Sequence, residues 1–527
     1  MALIQRTRSS KQFDGQERTE WGLLLGISTV VAAIHLLTNG RYGFHPDELQ
    51  FLSDARHMDW GFVPYPPLTP LLGRIGLDIF GVSVAGVRVF SVLAQSAVIV
   101  VTGLMANELG GRRLAQVTAT LCIALSPIPV IYGTQLQYSC FDFLWWVLIS
   151  YFTIRLLRSE NPRWWLAIGA VAGIGLETKY AIAFLVAGLL GGVALSRNRS
   201  LVKSRWFWGG IALALAIFLP NFLWLARHDF ISYRFLQSIH DRDVAVGSTR
   251  GFLQKQFFFC VNPVAIPVWL TGLIAFLRSP RYRTLAWMYL IPFAFFYFST
   301  GRSYYLAPAY PMLLAMGSVA AEAWLARVWK ASKASGRERT RWTQRQGMGP
   351  AALAVAALFF TALALEGLWI YAVNVPFQSS GRLRDYAVER NADFQQEFGW
   401  HEMVRTVAGI RDSLRAGQST DVGVLVDDYA EQGAIEILGP AYHLPVPISL
   451  VNSGWLRGYP DQPPTSLIVL GFSQEDANIA FSGCKLAGHI TNSGGVRNEE
   501  SKTPDIFVCG PPRLSWPVFW TEFQVFN

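Results

Sequence analysis

WGLLLGISTVVAAIHLLTN, residues 21–39, is an apolar run long enough to cross a lipid bilayer, and GFHPDELQ, residues 43–50, follows it. About 20 apolar residues span the hydrocarbon core of a membrane as a helix. By that measure the whole chain contains roughly eleven such spans. They lie near residues 21–39, 86–106, 114–133, 140–157, 164–178, 180–196, 206–225, 258–277, 284–300, 304–326 and 350–372. The sequence therefore predicts a polytopic α-helical membrane protein.

The composition agrees with this fold class. Of the 527 residues 52% are hydrophobic and only 15% are charged, whereas a soluble protein carries charge on about a quarter of its residues. The formal net charge of +9 is divided unevenly: residues 373–527 carry 18 acidic and 11 basic side chains, a net −7, which leaves +16 for residues 1–372. A separation of this kind indicates membrane topology, and no nucleic-acid partner is expected.

Basic residues are concentrated in alternate loops. With the N-terminus in the cytoplasm, the inner loops contain Arg112, Arg113, Arg155, Arg158, Arg163, Arg197, Arg199, Lys203, Arg205, Arg278, Arg281, Arg283 and the basic stretch 327–349. The short outer loops are almost free of Lys and Arg, as the positive-inside rule requires. An odd number of spans then places the C-terminal residues outside the cytoplasm. The predicted location is the bacterial inner membrane.

Residues 373–527, called the C-terminal segment below, differ in character from the apolar part. A helical stretch near 400–415 precedes two β-branched runs, DVGVLVDDYAEQGAIEIL and TSLIVLGF, each of which begins as a short strand. We expect a soluble extracytoplasmic α/β domain at 373–527 and a transmembrane domain at 1–372. An extracytoplasmic position favours a disulfide between Cys484 and Cys509, but the sequence alone leaves this pairing open.

Several charged residues lie where a membrane protein tolerates them poorly, and such residues are functional candidates by default. The candidates on the outer side are Asp142, Lys179, Arg302, Arg88 and Glu366, together with the Asp47–Glu48 pair. Arg88 and Glu366 have a simpler interpretation as side chains that extend to the interface, and Asp142 as a helix cap. Lys179 and Arg302 break the positive-inside pattern in tight turns, which favours a functional role.

Two cations and two carboxylate sites on one face suit a limited range of chemistry. Lys and Arg at the membrane surface suit a phosphate carried by a lipid. A carboxylate can accept the proton of an attacking hydroxyl, and the cations can neutralise a departing phosphate. The sequence contains no P-loop and no GxGxxG after a strand. A membrane-anchored donor therefore fits better than a cytoplasmic nucleotide.

An ordered series of motifs resembles a known family. It runs through GFHPDELQFLSDARHMDWGFVPYPPLTPLLGRIGLDIFGVSVAGVRVFS, GGRRLAQVTATLCIALSP, YSCFDFLWW, GIGLETKYAIAFL, LPNFLWLARHDF and GRSYYLAPAYPMLLAMG, and so covers most of residues 40–320. The series is similar to bacterial glycosyltransferases related to protein O-mannosyltransferases, a group that includes the aminoarabinose transferases of lipid A. The resemblance implies the C-type membrane glycosyltransferase fold, a polyprenyl-phosphate sugar donor and a non-cytoplasmic active site.

The resemblance also implies roles for individual residues. Asp47 would be the catalytic base or its close partner, with Glu48 beside it, and Asp142 would be a second acidic residue of the cavity. Lys179 and Arg302 would bind the donor phosphate. The donor groove would be lined by Tyr304, Tyr305, His45 and Arg88. Transfer would be inverting, with Asp47 deprotonating an acceptor hydroxyl.

The chain departs from the family pattern in VPYPPL, where Pro64 and Tyr65 stand at positions that are often acidic in relatives. A metal or acceptor contact made there in relatives is therefore in doubt here. His45 and Asp47 form a possible pair of ligands for a divalent metal ion, and a hydrogen-bonding role for His45 is the alternative. No cofactor is otherwise expected.

Two other functional classes stay open on the sequence. A transporter or flippase of lipid-linked sugar also needs many spans and a polar cavity, but it would distribute charge through the membrane depth. A non-catalytic assembly partner with a glycan-binding C-terminal segment is the third possibility. The expected partners of an enzyme are the polyprenyl-phosphate sugar, membrane lipid, and a glycan, lipid or protein acceptor, and the sequence identifies neither the sugar nor the acceptor.

Overall fold

The computed structural model describes residues 18–334, 350–417, 421–492, 494–498 and 501–527. Up to Asn374 the fold is helical. The first helices are α1 (Trp21–Thr38), α2 (Pro46–Arg56), α3 (Leu68–Phe80), α4 (Val84–Glu108), α5 (Arg113–Ala124), α6 (Pro127–Tyr132), α7 (Tyr138–Ser159) and α8 (Trp164–Leu176). They are followed by α9 (Ile182–Leu195), α10 (Arg205–Arg227), α11 (Ile231–Ala245), α12 (Phe252–Phe258), α13 (Ile266–Arg278), α14 (Arg283–Phe298), α15 (Tyr310–Ala334) and α16 (Pro350–Asn374).

The protein is a multi-pass membrane protein by the length and composition of these helices. Within the described ranges, six helices are long and apolar enough to cross a membrane, or eight if two sharply bent pairs are each one span. All eleven predicted segments contain a helix, but α5 has only 12 residues and α8 only 13. Since about 20 residues are needed to cross a bilayer, the number of eleven spans stays a prediction. Most of the basic stretch 327–349 lies outside the described residues.

Glycines allow pairs of helices to approach closely. A Cβ atom on Gly272 of α13 would collide with the backbone oxygen of Leu313 on α15, and one on Gly317 of α15 would collide with Val268 on α13. Small residues that let two backbones touch are typical of helix packing in membranes, where packing contacts replace the hydrophobic effect. The two glycines therefore allow α13 and α15 to pack backbone against backbone where they cross.

Two long segments between spans contain helices of their own. Residues 40–85 contain α2 and α3, and residues 226–257 contain α11 and α12. The loop after α14 forms a short 3₁₀ helix, Ser303–Ala309, which leads directly into α15. These connections carry Asp47, Asp243 and Arg302, so they position most of the charged groups described below.

The C-terminal segment contains a five-stranded sheet flanked by short helices. Its helices are α17 (Arg382–Arg390), α18 (Ala392–Gln395), α19 (Trp400–Ala416), α20 (Tyr429–Leu438), α21 (Asn452–Leu456), α22 (Gln474–Ala480) and α23 (Trp516–Glu522). Its strands are β1 (Val422–Val426), β2 (Ile448–Ser449), β3 (Ser466–Leu470), β4 (Lys485–His489) and β5 (Asp505–Cys509), in the order β2-β1-β3-β5-β4.

The predicted helix near 400–415 and the two predicted strands are confirmed as α19, β1 and β3. β1 pairs in parallel with β2 and β3, and β5 pairs antiparallel with β3 and β4. Cys484 and Cys509 form a disulfide with their Cα atoms 4.1 Å apart. The bond links the start of β4 to the end of its neighbour β5. The division into two domains at residue 372 stays a prediction.

Candidate active site

Helix α2 begins at a well-defined cap. The Nδ1 atom of His45 accepts a hydrogen bond from the backbone N–H of Asp47 at 3.2 Å, and a carboxylate oxygen of Glu48 accepts from the backbone N–H of His45 at 2.9 Å. Pro46 occupies the first helical position, where its missing N–H costs nothing. This reciprocal cap fixes the helix start and, with it, the direction of the Asp47 side chain.

The Asp47 carboxylate is partly exposed and receives two hydrogen bonds from distant parts of the chain. The side-chain amide of Gln137 donates to Oδ2 at 2.9 Å, and the hydroxyl of Tyr429 donates to Oδ1 at 3.3 Å. Gln137 precedes α7, and Tyr429 is the first residue of α20 in the C-terminal segment. Both donors hold the carboxylate in one orientation.

Glu48 and Arg88 lie in a different environment, away from solvent. The Arg88 guanidinium donates to both carboxylate oxygens of Glu48, at 2.8 and 2.7 Å, and both side chains are fully buried. Arg88 also donates to the backbone oxygens of Asn39 and Gly43 and lies 3.3 Å from a carboxylate oxygen of Glu397. The arrangement is a buried ion-pair cluster that joins α2, α4 and the C-terminal segment.

Lys179, in the turn between α8 and α9, lies in a cage of aromatic rings. Its Nζ atom donates to the Ser139 hydroxyl at 2.9 Å and lies 4.5 Å from the ring centres of Tyr138 and Tyr305 and 5.6 Å from that of Tyr304. Ring faces attract a cation that has lost its water. Burial lowers the pKa of Lys179 to about 8, against the opposing charge of Asp142.

Arg302 is held by a carboxylate that the sequence reasoning did not single out. Its Nε and Nη2 atoms donate to the two oxygens of Asp243, at 2.5 and 2.6 Å, and its Nη1 atom donates to the Tyr304 hydroxyl at 3.0 Å. Asp243 is almost buried and lies near the end of α11. Such a two-pronged pair is the geometry with which a guanidinium also binds a phosphate.

Asp142 is buried one turn inside α7, and its Oδ1 atom has no hydrogen-bond partner among the described residues. Its charge acts on Lys179, as do those of Arg302 and Asp47. Of the predicted residues, Asp47, Asp142 and Arg302 therefore all act electrostatically on Lys179. Tyr304 contacts both cations, and Tyr305 contacts Lys179. The sequence reasoning missed Tyr138, although it opens the quoted motif YSCFDFLWW, and missed Gln137 and Tyr429.

His45 acts as a helix cap through the ring nitrogen that faces Asp47, and the described residues contain no group of three or more His, Cys, Asp or Glu side chains arranged to hold a metal ion. The proposed pair of metal ligands, His45 and Asp47, stays a prediction. His45 and Arg88 serve α2 and its packing here, while Tyr304 and Tyr305 contact the cations.

Residues 64–224 match the family described as dolichyl-phosphate-mannose-protein mannosyltransferase. This range contains Asp142 and Lys179, and it ends before Arg302. No curated protein matches the sequence of the chain. The resemblance to membrane glycosyltransferases related to protein O-mannosyltransferases, predicted from the motifs, is confirmed.

Solved structures share the fold. ArnT from Cupriavidus metallidurans bound to undecaprenyl phosphate has 16% sequence identity and a TM-score of 0.55, with 93% of this chain and 98% of that chain covered. Its apo state has 14% identity and a TM-score of 0.52, with the same coverage. The arabinofuranosyltransferase AftD from Mycobacteria has 14% identity and a TM-score of 0.50, and the match covers 95% of this chain and 40% of AftD. The fold is that of the C-type membrane glycosyltransferases.

Proposed function

We propose that this protein is an inverting glycosyltransferase that moves a sugar from a polyprenyl-phosphate donor to an acceptor hydroxyl at the outer face of the bacterial cytoplasmic membrane. The observation that carries the proposal is the partly exposed carboxylate of Asp47 within electrostatic range of Lys179, on which Arg302 also acts. A base and two phosphate-binding cations are what displacement of a phosphate from a sugar carbon requires. The acceptor is a glycan, a lipid or a protein.

In the proposed reaction, a carboxylate oxygen of Asp47 accepts the proton of the acceptor hydroxyl. The acceptor oxygen attacks the anomeric carbon as the bond from that carbon to the phosphate oxygen breaks, and the electron pair leaves with the polyprenyl phosphate. Attack opposite the leaving group inverts the anomeric configuration. Asp47 keeps its orientation because Gln137 and Tyr429 each donate to one of its oxygens.

Lys179 and Arg302 bind the donor phosphate in this scheme and neutralise the charge that develops as it leaves. Lys179 provides a desolvated point charge inside its aromatic cage, which makes it a strong partner for an anion. Arg302 provides a planar guanidinium, whose N–H groups donate to the Asp243 carboxylate in this structure. The charge of Asp142 opposes the effect of burial and so favours the protonated form of Lys179. Tyr304 and Tyr305, whose rings contact Lys179, line the path of the phosphate in this scheme.

Glu48 and Arg88 have a positioning role in the same scheme. Their ion pair lies beneath the start of α2 and leaves no exposed surface on either side chain. His45 completes the cap of that helix. These three residues therefore act on Asp47 through the helix that carries it. The scheme assigns no role to the divalent metal ion that the sequence analysis considered for His45 and Asp47.

The proposed orientation places the N-terminus in the cytoplasm and the C-terminal segment outside. The distribution of basic loops supports it, and so does the disulfide between Cys484 and Cys509, since such bonds persist in oxidising compartments. In this orientation the proposed active site lies on the extracytoplasmic side, where a lipid-linked sugar rather than a cytoplasmic nucleotide sugar is the available donor.

The test uses the purified full-length protein in detergent with labelled polyprenyl-phosphate sugars and an envelope extract as the pool of acceptors. Asp47→Asn and Lys179→Ala are compared with wild type. Asp78→Asn and Lys203→Ala serve as matched controls, since both residues are exposed and lie outside the site. We expect transfer by wild type and by both controls, and its loss in the two site variants.

Equal turnover in all five proteins would show that neither Asp47 nor Lys179 is required for sugar transfer. If none of them transfers sugar, the same proteins are reconstituted in vesicles with labelled lipid-linked sugar in one leaflet. Movement of the lipid to the other leaflet by wild type would support the flippase alternative and contradict the proposed function.

A further inference from the structure

Helix α20 of the C-terminal segment lies directly against α2. A Cβ atom on Gly433 of α20 would collide with the backbone of Leu49 on α2, so the two helices touch where no side chain separates them. The side-chain amide of Gln432 donates to the Ser53 hydroxyl at 3.0 Å. The glycine brings the two backbones together, and the hydrogen bond from Gln432 holds α20 at one position along α2.

A buried polar network holds the far end of α20. The Ser53 hydroxyl donates to a carboxylate oxygen of Glu436 at 2.5 Å, and Arg457 donates to Asp54 at 2.5 Å and to Glu436 at 3.3 Å. The hydroxyl of Tyr65 donates to the other oxygen of Asp54 at 2.6 Å. The two carboxylates are buried and each is paired, so removal of one partner would leave a costly charge.

The near end of α20 reaches the active site. Asp428 caps this helix by accepting from the backbone N–H of Ala430 at 2.6 Å, and Tyr429 is its first residue. With both the cap and the helix position fixed, the Tyr429 hydroxyl lies 3.3 Å from Oδ1 of Asp47. Gln137 holds Oδ2, so Tyr429 is one of two groups that orient the proposed base.

We infer that Tyr429 is a positioning residue for Asp47, through which the C-terminal segment completes the active site. The inference rests on the proposed function of Asp47 as the base. A hydroxyl that donates to a carboxylate limits the orientations that the carboxylate can adopt. Loss of the Tyr429 hydroxyl would leave Gln137 as the remaining side-chain donor to the Asp47 carboxylate among the described residues.

Other groups also interact with Asp47, and they stay in place when Tyr429 changes. They are His45 and Glu48 on α2, Gln137 before α7, Lys179 between α8 and α9, and the tyrosines Tyr65, Tyr138 and Tyr304. A difference between wild type and a Tyr429→Phe variant thus reports on one hydroxyl.

The experiment compares wild type, Tyr429→Phe and a matched control, Tyr459→Phe, which removes a hydroxyl from a ring packed against Trp516 elsewhere in the C-terminal segment. Thermal unfolding of the three purified proteins shows first that each of them is folded.

Turnover of the polyprenyl-phosphate sugar gives the deciding measurement. We expect kcat to fall about tenfold in Tyr429→Phe with KM for the donor unchanged, and both constants to stay at the wild-type values in Tyr459→Phe. An unchanged kcat in Tyr429→Phe would overturn the inference. Transfer of sugar by Asp47→Asn would overturn the proposed function instead, whatever the result for Tyr429→Phe.

Discussion

Asp47 and Glu48 are neighbours in the chain, yet their side chains lie in two different regions of the molecule. Successive helical residues point about 100° apart, so one turns toward the partly exposed site and the other toward the interior. Asp47 receives hydrogen bonds from two neutral groups, whereas Glu48 is paired with the buried guanidinium of Arg88. The comparison teaches that an acidic pair in a motif can divide into one group available for chemistry and one that builds the scaffold.

The largest expected effect separates the two carboxylates by activity. Asp47→Asn removes the proposed base, and we expect sugar transfer to fall by about 10²–10⁴-fold, while the melting temperature stays close to that of wild type. Glu48→Gln should instead lower the melting temperature. Transfer assays and thermal unfolding of the same samples check both. A Glu48→Gln protein that melts normally and transfers no sugar would reverse the two assignments.

The next effect concerns the scaffold region alone. Arg88→Met leaves Glu48 and Glu397 buried without their cation, and we expect the free energy of unfolding to fall by about 3–5 kcal/mol. Arg74→Met is the control, because Arg74 forms an exposed ion pair with Asp78 that contributes about 0–1 kcal/mol. Denaturant unfolding in detergent measures both. Equal stability of the two variants would show that the buried cluster is not part of the scaffold.

A smaller expected effect tests the site region by the pH dependence of phosphate binding. Burial lowers the pKa of Lys179 to about 8, so the side chain is charged below that pH and loses its proton as the pH rises through it. We expect the dissociation constant for undecaprenyl phosphate to rise about tenfold between pH 7 and pH 9. Lys179→Arg should bind with a flat pH profile. Titration of the lipid phosphate at each pH provides the measurement, and the same slope in both proteins would exclude Lys179 as its cause.

The smallest effect tests the pair that occupies Arg302. Asp243 competes with a phosphate for the same fork of N–H groups, and an ion pair of this partly exposed kind contributes about 1 kcal/mol. We therefore expect Asp243→Asn to bind undecaprenyl phosphate about fivefold more tightly. Asp241→Asn, on the same helix, is the control. Weaker binding in Asp243→Asn would mean that the pair orients Arg302 for the donor instead of competing with it.

The sequence allowed much of the helical fold and part of the site to be predicted. Apolar length marked eleven segments, each of which contains a helix, and β-branched runs marked β1 and β3. Lys179 and Arg302 stood out because charge in a tight outer turn is costly, and the structure brings both near Asp47. Local pattern and the expense of burying charge were sufficient for these predictions.

The remaining features depend on contacts between distant segments. Arg88 meets Glu48 40 residues away, and Asp47 meets Tyr429 382 residues away. Neither contact leaves a periodic signal in the sequence, because each is decided by how α2 packs on its neighbours. The pairing of Arg302 with Asp243, 59 residues apart, is of the same kind. The sequence alone therefore did not predict these polar contacts between distant segments.

Arg88 has a practical consequence for anyone who wishes to exchange the C-terminal segment for that of another enzyme. Its guanidinium sits between Glu48 and Glu397, and burial raises the pKa of Glu397 to about 7 while Arg88 acts in the opposite direction. A grafted segment must bring its own acid to the place of Glu397 and its own tyrosine to the place of Tyr429. Changes to this part of the protein are thus better made on exposed surfaces within residues 373–527 than by replacing the whole segment.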